Sequence, residues 1–95
     1  MTGQLTVSPR VLDRRAGGVL KITFDVPVGS RAWRAFVYDL WGNRVRDLGG
    51  DDLGPGRRSL VWDGDDDAGV SAGSGGYVVV VQSGRGTAKV LVAVR

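Results

Sequence analysis

The chain has no cysteine, no histidine and no glutamate, and its 95 residues include one asparagine, Asn43. Without cysteine there is no disulfide framework, no CxxC redox pair and no thiolate zinc site. Without histidine the commonest general base is missing and no Ser-His-Asp triad can be assembled, so the chain is expected not to be an enzyme. All ten acidic residues are Asp and eleven of the thirteen basic residues are Arg. Glu and Lys favour helices, whereas Asp beside Gly is turn chemistry, so the charge set itself argues for strands and loops. An intramolecular Lys–Asn isopeptide bond is not expected either, because no Glu exists to catalyse it. No run of about 18 apolar residues and no basic stretch leading into an apolar one occurs, so neither a membrane span nor a signal peptide is expected.

The chain does contain glycine, at 16 of 95 residues against a usual ~7%, together with 42% apolar residues. That is a folded, turn-rich chain, long enough for a single core, and residues 1–95 are read as one domain. The net charge of +3 is spread over scattered arginines with acids between them. Nucleic-acid binding is not expected from such a pattern, since it calls for a continuous basic face with interleaved stacking aromatics.

Period-2 alternation recurs between turn signals. Leu5 and Val7 form a short leading strand stopped by Ser8-Pro9. Leu20, Ile22, Phe24 and Val26 alternate with Lys21, Thr23 and Asp25. Leu60 and Trp62 face one way, Ser59, Val61 and Asp63 the other. Tyr77 to Val81 is apolar on both faces, as a strand in mid-sheet should be. Val90, Val92 and Val94 alternate with Lys89, Leu91 and Ala93, after a hairpin loop at Ser83-Gly84-Arg85-Gly86. Trp33, Phe36, Val37 and Leu40 fit a helical template, but Trp33, Ala35 and Val37 also fit one face of a strand. The aromatic and β-branched run Phe36-Val37-Tyr38, followed by the turn Trp41-Gly42-Asn43, decides for strand. Asp51 and Asp52, within the Gly-rich stretch 49–56, read as a solvated turn. About seven strands at roughly ten-residue spacing predict an all-β, immunoglobulin-like antiparallel β-sandwich.

The segment from Trp62 to Tyr77 holds the candidate structural residues. Trp62 and Tyr77 are expected in the core, with the Tyr77 hydroxyl reaching backbone. Asp63 and Asp66 are expected to accept hydrogen bonds from their own turn, and Gly64, Gly69 and Gly75 suit positive φ. Asp63, Asp65 and Asp67, at alternate positions, also offer a calcium reading like the first ligands of an EF-hand loop, but no Glu stands at the twelfth place, where Ser74 does. Turn chemistry is the preferred expectation, with no cofactor or metal. Trp41, beside Gly42 and Asn43 at the tip or shoulder of a hairpin, is expected to mark a contact surface, with Phe36 and Tyr38 extending it.

Two stretches carry a family resemblance. Val37-Tyr38-Asp39-Leu40-Trp41-Gly42-Asn43-Arg44-Val45-Arg46-Asp47-Leu48 is similar to a "VYDxxGxxVRxL" hairpin. Trp62-Asp63-Gly64, with Asp66, Asp67, Gly69, Ser74, Gly75 and Tyr77, is similar to a "WDGxDDxGxxxxSGxY" segment. Both resemble the Ig-like domain of flagellar hook-capping proteins, and the opening Leu5 to Pro9 and the ending Lys89 to Arg95 extend the resemblance over nearly the whole chain. Departures stand at Trp33, Trp41 and Gly76. The resemblance implies a non-catalytic bacterial sandwich module at the C-terminus of a larger exported protein, extracellular or in the cell envelope, that serves assembly, surface display or secretion. Its expected partners are a neighbouring domain of the parent chain or itself through strand edges. The alternative is a carbohydrate-binding accessory module of an extracellular enzyme, in which exposed aromatics stack on sugar rings.

Overall fold

The structure, a computed structural model, describes residues 5–84 and 86–95. Among these residues eight strands form: β1 (Leu5–Ser8), β2 (Val11–Leu12), β3 (Leu20–Val26), β4 (Trp33–Asp39), β5 (Arg44–Asp51), β6 (Gly56–Trp62), β7 (Gly75–Ser83) and β8 (Gly86–Val94), with a 3-10 turn at Arg14–Ala16. They make a three-stranded sheet ordered β1-β3-β6 and a five-stranded sheet ordered β2-β8-β7-β4-β5. This is the all-β, immunoglobulin-like sandwich expected from the alternation, with strands crossing between the sheets as in a Greek key. The extra strand is β2, whose two residues pair parallel to Ala93 and Val94 of β8 in an otherwise antiparallel fold. Two residues carry too little periodicity to be read in advance.

The core lies between the inner faces. Ile22, Phe24 and Val26 of β3 and Trp62 of β6 meet Trp33, Ala35 and Val37 of β4, Tyr77, Val79 and Val81 of β7, and Val92 and Val94 of β8. The ambiguous stretch from Trp33 is therefore a strand, with Phe36 facing away from Trp33 and Val37. Phe24 stands edge-on to Trp33 at 4.8 Å between ring centroids, and Trp62 to Tyr77 at 5.4 Å. Both are favourable arrangements of the ring quadrupoles.

The reading of Asp51 as part of a solvated turn is corrected. Strand β5 runs through Gly49 and Gly50 to Asp51, with irregular register against β4 absorbing the glycines. Arg58 of β6 grips Asp51 with two bonds of 3.0 and 3.2 Å and also donates to the Gly54 carbonyl at 2.8 Å, tying the two sheets together across their open side. Of the expected loop Ser83–Gly86, Arg85 lies outside the described residues, and Ser83 and Gly86 pair across the turn.

Candidate functional site: the outer face of the five-stranded sheet

The Asp loop has a structural task. Asp63 Oδ1 accepts from Asp65 N at 2.9 Å, and Asp66 Oδ1 accepts from Ala68 N at 2.9 Å and Val70 N at 3.0 Å, so both carboxylates fold the loop on itself. Trp62 Nε1 donates to the Asp65 carbonyl at 2.8 Å and Arg14 Nη1 donates to the Ala72 carbonyl, which hold the loop on the end of the core. Asp67 does something else. Its N–H donates to the Val45 carbonyl at 3.0 Å and its Oδ1 accepts from Asp47 N at 2.8 Å, so one residue satisfies the exposed edge of β5 as a neighbouring strand would. Edges left open invite pairing with other chains, and this loop closes one. Gly64, Gly69 and Gly75 take positive φ. The calcium reading finds no support in this arrangement. The carboxylates of Asp63 and Asp67 serve separate backbone donors, and among the described residues no three acidic side chains converge as a metal site requires.

The three aromatics expected to share a contact surface are divided. Trp41 is 85% exposed at the β4–β5 turn and borders an open groove with Arg44, Asp66, Asp67, Ala72 and Tyr77 at the end of the sandwich. The polar groups there are occupied. Asp39 accepts from Trp41 N and Asn43 N at 2.9 Å each and from Asn43 Nδ2 at 3.1 Å, and the Asn43 N–H foremost holds its carboxyl below the ordinary range. Asp67 caps β5, and the Tyr77 hydroxyl donates to the Gly73 carbonyl at 2.5 Å.

Phe36 and Tyr38 lie instead on the outer face of the five-stranded sheet, where strand register sets a grid. Asp47, Phe36, Val80 and Lys89 stand in one row across β5, β4, β7 and β8. Arg44, Tyr38, Val78 and Leu91 stand in the next. Gly76, Ala93 and Val11 continue a third, with Leu40 lying over Gly76, where an added Cβ would come within 3.0 Å of it. The rings of Phe36 and Tyr38 are 6.1 Å apart, and the guanidinium groups of Arg34 and Arg44 sit 5.6 and 5.8 Å from the Phe36 centroid. Leu91 is 62% and Leu40 59% exposed. Charges frame the apolar rows. Arg34 pairs with Asp47 at 2.9 Å, and the Gly49 N–H foremost lowers the Asp47 carboxyl pKa, with burial opposing it and the Arg34 charge adding to the fall.

The other sheet turns a different face to solvent. There Thr6, Thr23 and Ser59 stand in register, with a 3.3 Å Thr23–Ser59 hydroxyl contact, and Arg57 pairs with Asp25 at 3.2 Å. Val61, 61% exposed, is its one large exposed apolar side chain among the described residues.

Leu40, Val78, Val80 and Leu91 were not expected at a site. For Val78 and Val80 the signal is the two-sided apolar run of β7, which a mid-sheet position alone would also produce. In a two-layer sandwich only one face of that strand meets the core, so Val78 and Val80 point to the outer face, where Val78 is half-buried and Val80, 6% exposed, is covered by its neighbours on the sheet. Compared with models of known protein families and with the sequences of curated proteins, the chain matches none.

Proposed function

We propose that the protein is a non-catalytic interaction module that binds a protein partner through the outer face of its five-stranded sheet. The observation that carries this is the contrast between the two outer faces: exposed Leu40 and Leu91 beside half-buried Phe36, Tyr38 and Val78 on one, a Thr/Ser and ion-pair lattice on the other. Contiguous exposed apolar surface with a charged rim is the anatomy of a contact surface. The resemblance to the Ig-like domain of hook-capping proteins agrees with such a role in the assembly, display or secretion of a larger bacterial protein. It also suggests a setting outside the cell or in its envelope. Sugar binding is the weaker reading, because Trp41 stands alone in its groove and the carboxylates around it already serve backbone donors. Among the described residues no helix is long and apolar enough to cross a membrane.

The test places a photo-reactive amino acid at Leu91 or at Val61, which are equally exposed on opposite faces, in the protein as its cells produce it. Protein adducts are expected from position 91 and not from position 61. Equal yields from both, or none from position 91, would overturn the reading.

A further inference from the structure

We propose that this face docks onto the same face of a second copy of the chain, with Asp47 of each copy set against Lys89 of the other. The inference rests on the contact-surface reading above and goes beyond it by naming what covers the face.

Strand register sets which residues can meet. A closed homodimer repeats one patch on both copies, so the patch must complement itself across a two-fold axis. If that axis runs along the strands midway between β4 and β7, β4 lies over β7 of the second copy and β5 over its β8. The row Asp47, Phe36, Val80, Lys89 then meets its own reverse. Phe36 comes over β7 of the second copy in the row of Val80, and Asp47 faces Lys89 of the second copy twice over. In the next row Tyr38 covers Val78 of the second copy, and the stem of Arg44 lies on its Leu91. Each contact sets an aromatic or a long side chain against a smaller or branched one, and no like charges meet within these rows. Moving the axis half a strand spacing, onto β7, would carry Asp47 out over β2, whose two residues pair only with Ala93 and Val94 and provide no cation in that row.

Asp47 can take the extra partner. Its Oδ2 accepts from Arg34 and its Oδ1 from Gly49 N, and each carboxylate oxygen keeps a second lone pair. Face-to-face packing also fits the capped edge. With Asp67 closing β5, joining edge to edge there is blocked, while the face beside it stays open. Four overlapping strands about 4.8 Å apart and three rows about 6.7 Å apart give a face of roughly 400 Å² per copy, below the ~800 Å² of standard stable complexes. An interface of this size fits a weak, reversible dimer.

Sedimentation equilibrium on the whole chain, from about 20 μM to about 1 mM, tests this. The wild type should pass from monomer to dimer over that range. Lys89→Asp, which sets two pairs of acids face to face, should weaken dimerisation at least ~10-fold, whereas Lys89→Arg should leave it within ~2-fold. Asp47→Asn, which still accepts from Gly49 N, should weaken it by less than Lys89→Asp does. Thermal melts of each variant check that the fold is kept, as expected for changes at exposed positions. A wild type that stays monomeric, or Lys89→Asp that dimerises as well as wild type, overturns the inference. If the chain is monomeric and position 91 still captures a different protein, the second copy is wrong and the contact-surface reading stands.

Discussion

Trp62 shows how much of this molecule rests on single side chains. It is 1% exposed, edge-on to Tyr77, and its indole N–H holds the Asp65 carbonyl. Trp62→Ala should cost about 3–5 kcal/mol in urea unfolding, the range for deleting a buried large aromatic. A loss below about 1 kcal/mol would contradict its place in the core. Tyr77→Phe removes only the bond to the Gly73 carbonyl and should cost about 1 kcal/mol, with little change elsewhere. The burial of both rings was legible in the sequence, because large aromatics at the ends of alternating runs have few other places to go. The division between Leu40 and Trp41 was not. Around a tight turn one residue of phase decides which side of the hairpin a side chain meets, and alternation gives no phase past the last ladder residue.

At the scale of elements, β5 departs furthest from its sequence pattern. Gly49 and Gly50 look like loop residues, yet they continue the strand, and Gly50 is required there. A Cβ at Gly50 would stand 2.0 Å from the Trp33 carbonyl oxygen, a backbone atom that cannot swing aside. Gly50→Ala should therefore destabilise by at least about 2 kcal/mol as the strand is pushed off β4. The edge cap of β5 has a sharper readout. Asp67→Ala removes the acceptor for the Asp47 N–H, so amide exchange at Asp47 should speed by roughly 10-fold or more while the β3 amides keep their protection. Unchanged exchange at Asp47 would mean that the loop does not seal the edge. That Asp63 and Asp66 would serve turns was legible from Asx chemistry. That Asp67 would reach twenty residues back to β5 was not, because that contact depends on where the whole loop comes to rest.

The whole molecule is a slab of 40 × 23 × 20 Å with two unlike faces, one polar and one apolar. Its acids tie it together. The Arg58 guanidinium foremost, then the Leu53 N–H, lowers the Asp51 carboxyl from 3.8 to about 2, and the buried Trp33 indole, which makes no hydrogen bond, lies near enough to favour the same anion. Asp39 and Asp47 are lowered too. Groups whose pKa is depressed on folding bind fewer protons in the folded state than in the unfolded chain. Their stabilisation is complete above the ordinary carboxylate range and is lost as pH falls through their folded values. The melting midpoint should stay level above about pH 5 and fall steeply between about pH 4 and pH 2, and Asp51→Asn should flatten part of that fall. A midpoint insensitive to acid would contradict the ion-pair account. The sandwich itself was legible in the alternation. The use of one face was not, since an outward apolar residue becomes informative only once the structure shows that no further layer covers it.

The account is tested most directly by amide chemical shifts of the isotope-labelled chain, recorded as it is diluted from about 1 mM to about 20 μM. Concentration-dependent shifts should gather at Phe36, Tyr38, Asp47, Val78, Val80, Lys89 and Leu91, with Thr6, Thr23 and Ser59 unmoved. Shifts that gather on the three-stranded sheet or around Trp41 would contradict it, and none at all would contradict the docking of two copies.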